Sequence, residues 1–81
     1  MTAIRGAVLL TRPDCHLCEE FLDELAAAFP ELAAQLALED VDSRLDWRME
    51  YGRRIPVLLD GDGRVLCERQ FDAARLRADL R

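Results

Sequence analysis

The chain has 81 residues, of which 51% are hydrophobic, and its 16 acidic and 11 basic side chains leave a net charge of -5. That length holds one domain, spanning 1–81, whose core alone is only marginally sufficient for folding, and the apolar fraction argues against disorder. The acidic balance argues against a nucleic-acid partner, because phosphate binding needs clustered positive charge.

The chain opens with "MTAIRGAVLLT". Its apolar run is too short for a signal-peptide core and lacks a small-residue cleavage site. No stretch approaches the ~20 apolar residues of a membrane span. A cytoplasmic protein is expected, where thiols stay reduced unless they are catalytic. Within the opening, "AVLLT" (7–11) is wholly apolar and bounded by Gly6 and Pro13-Asp14, which predicts a buried strand. From Cys15 onward Cys18, Phe21, Leu22, Leu25, Ala28 and Phe29 recur at steps of three and four, opposite Glu19, Glu20, Asp23 and Glu24. This is the pattern of an amphipathic helix. Pro30 ends or kinks it, and "ELAAQ" adds a further turn with Pro30 at its first position.

"LALEDV" (36–41) predicts a second strand, parallel to the first because a helical crossover joins them. Ser43 followed by Asp46 reads as a capping box opening a helix over 44–51, closed by Gly52. "PVLLDGDGRVLCER" carries two apolar runs joined through Asp60-Gly61-Asp62-Gly63, a hairpin signal. Asp72 is placed to cap a last helix, "AARLRADL", with Leu76 and Leu80 facing inward. The resulting order is β-α-β-α-β-β-α, an α/β fold.

The chemistry concentrates in "TRPDCHLC" (11–18). Cys15 and Cys18 stand three residues apart at the first turn of a helix, where side chains lie ~5–6 Å apart. A disulfide closes at that distance without backbone movement. A ring of four residues would contribute roughly 2 kcal/mol, which suits a bond that is made and broken more than a staple. Cys18 belongs to the apolar stripe and should be buried. Cys15 sits at the helix mouth beside unpaired N–H groups, which favour a thiolate. Cys15 is therefore the expected attacking sulfur and Cys18 the resolving one. A fall in pKa from about 8.5 to about 6 raises the thiolate fraction at pH 7 roughly 30-fold but lowers intrinsic nucleophilicity about 13-fold. The net gain in attack is about twofold, so the low pKa helps release more than capture. Arg12 and a protonated His16 would support the thiolate, while Asp14, Glu19 and Glu20 would oppose it. The bland alternative for His16 is an exposed side chain on the first turn.

"TRPDCHLC" resembles the strand-end motif of glutaredoxins, which adopt the thioredoxin fold, and "CHLC" with the later "YGRRIPVLL" is similar to a group of small bacterial glutaredoxin-like proteins. The resemblance covers nearly the whole chain. It implies a four-stranded mixed sheet flanked by three helices and a dithiol thiol-disulfide oxidoreductase. Cys15 would be the nucleophile and Cys18 the resolving thiol. Arg12 would hold a glutathione carboxylate or the thiolate, and Arg53 would be the basic residue preceding the substrate loop. Pro56 would be the cis-proline, leaving the Ile55 backbone to pair with an extended disulfide partner. Asp72 would begin a helix that binds the γ-glutamyl carboxylate. The sequence departs from the family in having His16-Leu17 where Pro-Tyr is usual. It also lacks a Gly-Gly in "VLCERQFD", where Glu68 and Arg69 would occupy the space.

Two other classes compete. Zinc or an iron–sulfur cluster would need Cys15, Cys18, His16 and the distant Cys67, with no second C-x-x-C to complete a usual site. Cys67 reads instead as a buried hydrophobe sharing an inward face with Val65. The second class is an adaptor module that keeps the fold and cysteines without redox work. The expectation carried forward is a monomeric reductase without a bound cofactor or metal, acting on a disulfide-containing protein or a glutathione mixed disulfide. Glutathione is a candidate co-substrate, and glutathione or a thioredoxin-type reductase supplies electrons. No nucleic acid or membrane partner is expected.

Overall fold

The computed structural model describes residues 4–79. Strand β1 (Val8–Thr11) leads into helix α1 (His16–Ala28), a short helix α2 (Pro30–Gln35) and strand β2 (Ala37–Asp40). A 3-10 turn (Val41–Ser43) and helix α3 (Leu45–Tyr51) follow, then the hairpin β3 (Val57–Leu59) and β4 (Val65–Glu68), and finally helix α4 (Ala73–Asp79). The sheet order is β2-β1-β3-β4. β1 pairs parallel with β2 and antiparallel with β3, and β3 pairs antiparallel with β4. This is the thioredoxin-like mixed sheet that the resemblance implied.

The continuous apolar run in β1 has its cause in the layers on either side. Leu9 packs with Phe21, Leu25, Leu32, Leu58, Leu66 and Leu76 in one cluster, beneath α1, α2 and α4. Leu10 packs with Val41, Val57 and Leu59 in a second cluster, beneath Trp47 and Tyr51 of α3. A strand covered on both faces has no polar side to alternate with.

Several local expectations need correction. Among the described residues there are four α-helices and not three, because Phe29 leaves helical geometry (φ -136°, ψ 68°) and Pro30 starts α2 as its first residue. Ala28 lies outside the buried stripe of α1, which is Cys18, Phe21 and Leu25. The Ser43–Asp46 capping box does not form. The Ser43 hydroxyl donates to the Asp40 carbonyl at 2.7 Å, Asp46 pairs with Arg44, and α3 begins without a side-chain cap. Val65 and Cys67 do not share a face either. A shift in register between Leu58 and Leu59 lets Val65 join the α3-side cluster while Leu66 and Cys67 join the other. Such a bulge breaks the two-residue alternation. Leu80 lies outside the described residues. No helix among those described is long and apolar enough to cross a membrane.

Candidate active site

The site is built where β1 runs out. After Thr11 the chain turns through Arg12, Pro13 and Asp14, the last with a left-handed φ of 60°. That turn delivers Cys15 as the N-cap of α1, in extended geometry (φ -95°, ψ 104°). Its Sγ accepts the Cys18 N–H at 3.2 Å, so sulfur takes the place of the usual cap oxygen. Cys15 and Cys18 are joined as a disulfide with their Cα atoms 5.2 Å apart. The two sulfurs' residues differ in access as the helix periodicity predicts. Cys18 is 4% exposed and packed beneath the helix, whereas Cys15 is only partly covered.

The opposite wall comes from the start of β3. Pairing of Leu10 with Val57 brings Pro56 alongside Thr11, and the Ile55–Pro56 bond is cis, as the resemblance implied. Pro56 is buried and Ile55 half-buried. Among the described residues, the Ile55 N–H and C=O have no partner in the loop and turn hydrogen bonds. The Pro56 carbonyl accepts the Arg69 N–H at 2.7 Å, which ties the end of β4 to this loop.

Of the two arginines expected at the site, one is engaged elsewhere. Arg12 was expected at the thiolate or a glutathione carboxylate. Instead it donates from Nε and Nη2 to the two Asp42 oxygens at 2.9 and 3.0 Å, and from Nη1 to the Gly52 carbonyl at 3.1 Å. These bonds clamp the end of β1 to the 3-10 turn and to the end of α3. The same guanidinium holds the Asp42 carboxyl below its ordinary range. His16 is likewise turned outward. Its Nε2 pairs with Glu20 Oε2 at 2.7 Å and its side chain is 84% exposed, which is the bland alternative. Arg53 is exposed, and its carbonyl accepts from Arg69 Nη2 at 2.7 Å. Asp72 caps α4 as expected, with Oδ1 accepting the Arg75 N–H at 3.0 Å. Cys67 is 1% exposed, donates to the Gln70 carbonyl at 3.1 Å and accepts the Asp72 N–H at 3.3 Å. Burial pushes its thiol pKa up. Among the described residues, no three His, Cys, Asp or Glu side chains converge in a way that could hold a metal ion.

Sequence reasoning missed two supports. Arg54 forms a two-pronged pair with Glu68, at 2.9 Å for each bond, and reaches Glu50 at 3.5 Å while stacking on Tyr51. It binds the loop before cis-Pro56 to the end of β4 and holds the Glu68 carboxyl below its ordinary range. Arg69 adopts a left-handed φ of 66° where the resemblance would place glycine. No local motif announces either feature, since the partners are 14 and 16 residues apart in sequence. A groove of about 230 Å³ opens between α1 and the loop after β4, lined by Leu17, Glu20, Phe21, Glu24, Arg69, Gln70 and Phe71.

The family description "Glutaredoxin-like domain (DUF836)" matches residues 7–81, which takes in the disulfide, the cis-proline and all four strands. The chain belongs to this glutaredoxin-like family. It is 38% identical over 77 residues to "Uncharacterized protein Rv0508" of Mycobacterium tuberculosis (strain ATCC 25618 / H37Rv), covering 89% of this chain and 78% of that protein. The crystal structure of target XcR50 from X. campestris is similar with a TM-score of 0.72 at 39% identity, covering 93% of this chain and 95% of the other. The solution structure of Ne2328 from Nitrosomonas europaea has a TM-score of 0.82 at 27% identity and covers 100% and 96%. The glutaredoxin-like placement of a C-x-x-C pair at the start of α1 fits a redox role.

Proposed function

We propose that this protein is a dithiol thiol-disulfide oxidoreductase that reduces protein or glutathione mixed disulfides. The observation that carries the reading is the unequal pair at one helix start. Cys15 is partly open and its Sγ accepts the Cys18 N–H, cis-Pro56 lies alongside Thr11 at the end of the same strand, and Cys18 is buried with its Cα 5.2 Å from that of Cys15. Donors aimed at a sulfur favour its anionic form. The Cys15 thiolate attacks one sulfur of the partner's disulfide, forming a mixed disulfide and expelling the other sulfur as a thiolate that takes a proton from solvent. The Cys18 thiol loses its proton and attacks Cys15 Sγ, closing the Cys15–Cys18 bond and releasing the second partner thiol. Two electrons pass to the partner. A thiol reductant, either glutathione or a thioredoxin-type reductase, returns them. The free Ile55 peptide supports docking of an extended partner by strand-like pairing.

Replacing Cys18 by Ser tests this. The variant should accumulate a covalent adduct on Cys15 when mixed with a disulfide substrate, visible by mass, while Cys15→Ser should form none. Cys67 does not confuse the result, because it is buried. A Cys18→Ser protein that remains unmodified in the presence of oxidised glutathione and disulfide-bearing peptides would point to the adaptor reading.

A further inference from the structure

The groove beside Leu17 bears on which disulfide enters. Leu17 lies between the two cysteines in sequence, is 53% exposed and lines this groove, which places one end of it within a helical turn of the pair. Its volume of about 230 Å³ falls below the roughly 300 Å³ at which pockets begin to enclose a small molecule. That is room for one or two side chains of a larger partner. Its α1 wall carries Glu20 and Glu24, one helical turn apart, with Leu17, Phe21 and Phe71 forming an apolar floor.

Of the cations that could receive the two carboxylates of glutathione, Arg53 is exposed, but the others near this end of the sheet are largely committed. Arg12 is spent on Asp42 and Gly52, and Arg54 on Glu68 and Glu50. Arg69 lines the far wall, but its guanidinium is drawn to the Arg53 carbonyl at 2.7 Å. His16, on the first turn of α1, already faces Glu20.

We infer that the groove receives a basic side chain, with its aliphatic stem on Leu17 and Phe71, from a protein partner whose disulfide-bonded cysteine lies two or three residues away, and that glutathione disulfides are the poorer substrates. The inference rests on the thiol-exchange reading above and narrows it to one substrate class. Long basic side chains suit such a place, since they lay an apolar stem on apolar surface and keep the charged head at acidic groups.

The test measures exchange rates of the reduced protein with three probes. Two are peptide disulfides of equal length, one carrying Arg and the other Glu at two and three residues from the cysteine; the third is oxidised glutathione. The Arg peptide should react roughly tenfold faster than the Glu peptide at low salt, an expectation for a few exposed charge contacts. The difference should shrink in 0.5 M salt, where the screening length falls to a few ångströms. Glu24→Gln, which leaves the His16–Glu20 pair intact, and Glu20→Gln should each narrow the gap between the two peptides. Equal rates for the three probes, a lead for the Glu peptide or glutathione, or an Arg preference that survives both substitutions overturns the inference and leaves thiol exchange standing. Failure of every probe to react removes thiol exchange itself, and the inference with it.

Discussion

Asp14, just before Cys15, and Arg69, whose N–H bonds the Pro56 carbonyl, hold φ values of 60° and 66°. A left-handed conformation costs an L-residue roughly 1–2 kcal/mol, and glycine escapes the penalty. At position 69 the cost is offset by two bonds, the N–H to Pro56 and the guanidinium to Arg53. Arg69→Gly and Arg69→Ala both delete the guanidinium bond, but only glycine removes the steric penalty. The glycine variant should therefore be more stable than the alanine variant by about 1 kcal/mol, read from urea midpoints. The close pair and its unequal burial were legible in the sequence because the two residues are local and helix periodicity sets which of them faces the core. The arginine roles were not. Arg12 and Arg54 take partners 30 and 14 residues away, and a chain with 16 carboxylates offers each arginine many candidates that only the fold can sort.

Helix starts show where short-range signals succeed and where they are outbid. Asp72 caps α4 as the sequence indicates, since no nearer donor competes for its Oδ1. Asp72→Ala should cost about 1 kcal/mol of stability and Asp72→Asn much less, because the amide oxygen can accept the same N–H. This comparison, by thermal or urea unfolding, separates the cap from the charge. Ser43 had an equally good local pattern, yet its hydroxyl bonds the Asp40 carbonyl and the chain forms a 3-10 turn there. Serine competes for nearby backbone groups in just this way. The break at Phe29 and the restart of a helix at Pro30 are both legible from the proline. What no local signal announces is where Phe29 goes: its ring packs near Phe71, with centroids 6.1 Å apart, and under Arg77.

Taken whole, the molecule is a sheet with an apolar layer on each face, and two ion pairs fasten the loops at the disulfide end. Periodicity reveals the layers, and the crossover rule gives the parallel pairing of β1 with β2. The bulge in β4 left no sequence mark. Fastening by Arg12–Asp42 and Arg54–Glu68 has a consequence for acid stability. Both carboxyls sit below their ordinary values of 3.8 and 4.5, chiefly through hydrogen bonds from the arginines. Depressed folded values mean that the unfolded chain binds more protons in this range, so stability rises with pH through it. Their contribution is in place above the ordinary values and is lost as pH falls through the folded ones. The double variant Asp42→Asn, Glu68→Gln should be less stable at pH 7 and should lose less on acidification below pH 4.5, measured as urea midpoints across that range.

The sulfur that accepts the Cys18 amide is the same atom that bridges to Cys18. An anionic sulfur is the stronger acceptor, so the amide holds the reduced pair more tightly than the oxidised one. Firmness at this single peptide hydrogen and the oxidising strength of the couple are thus one equilibrium seen from two sides. A change that loosens the opening turn of α1, however distant its origin, would make the bridge harder to reduce.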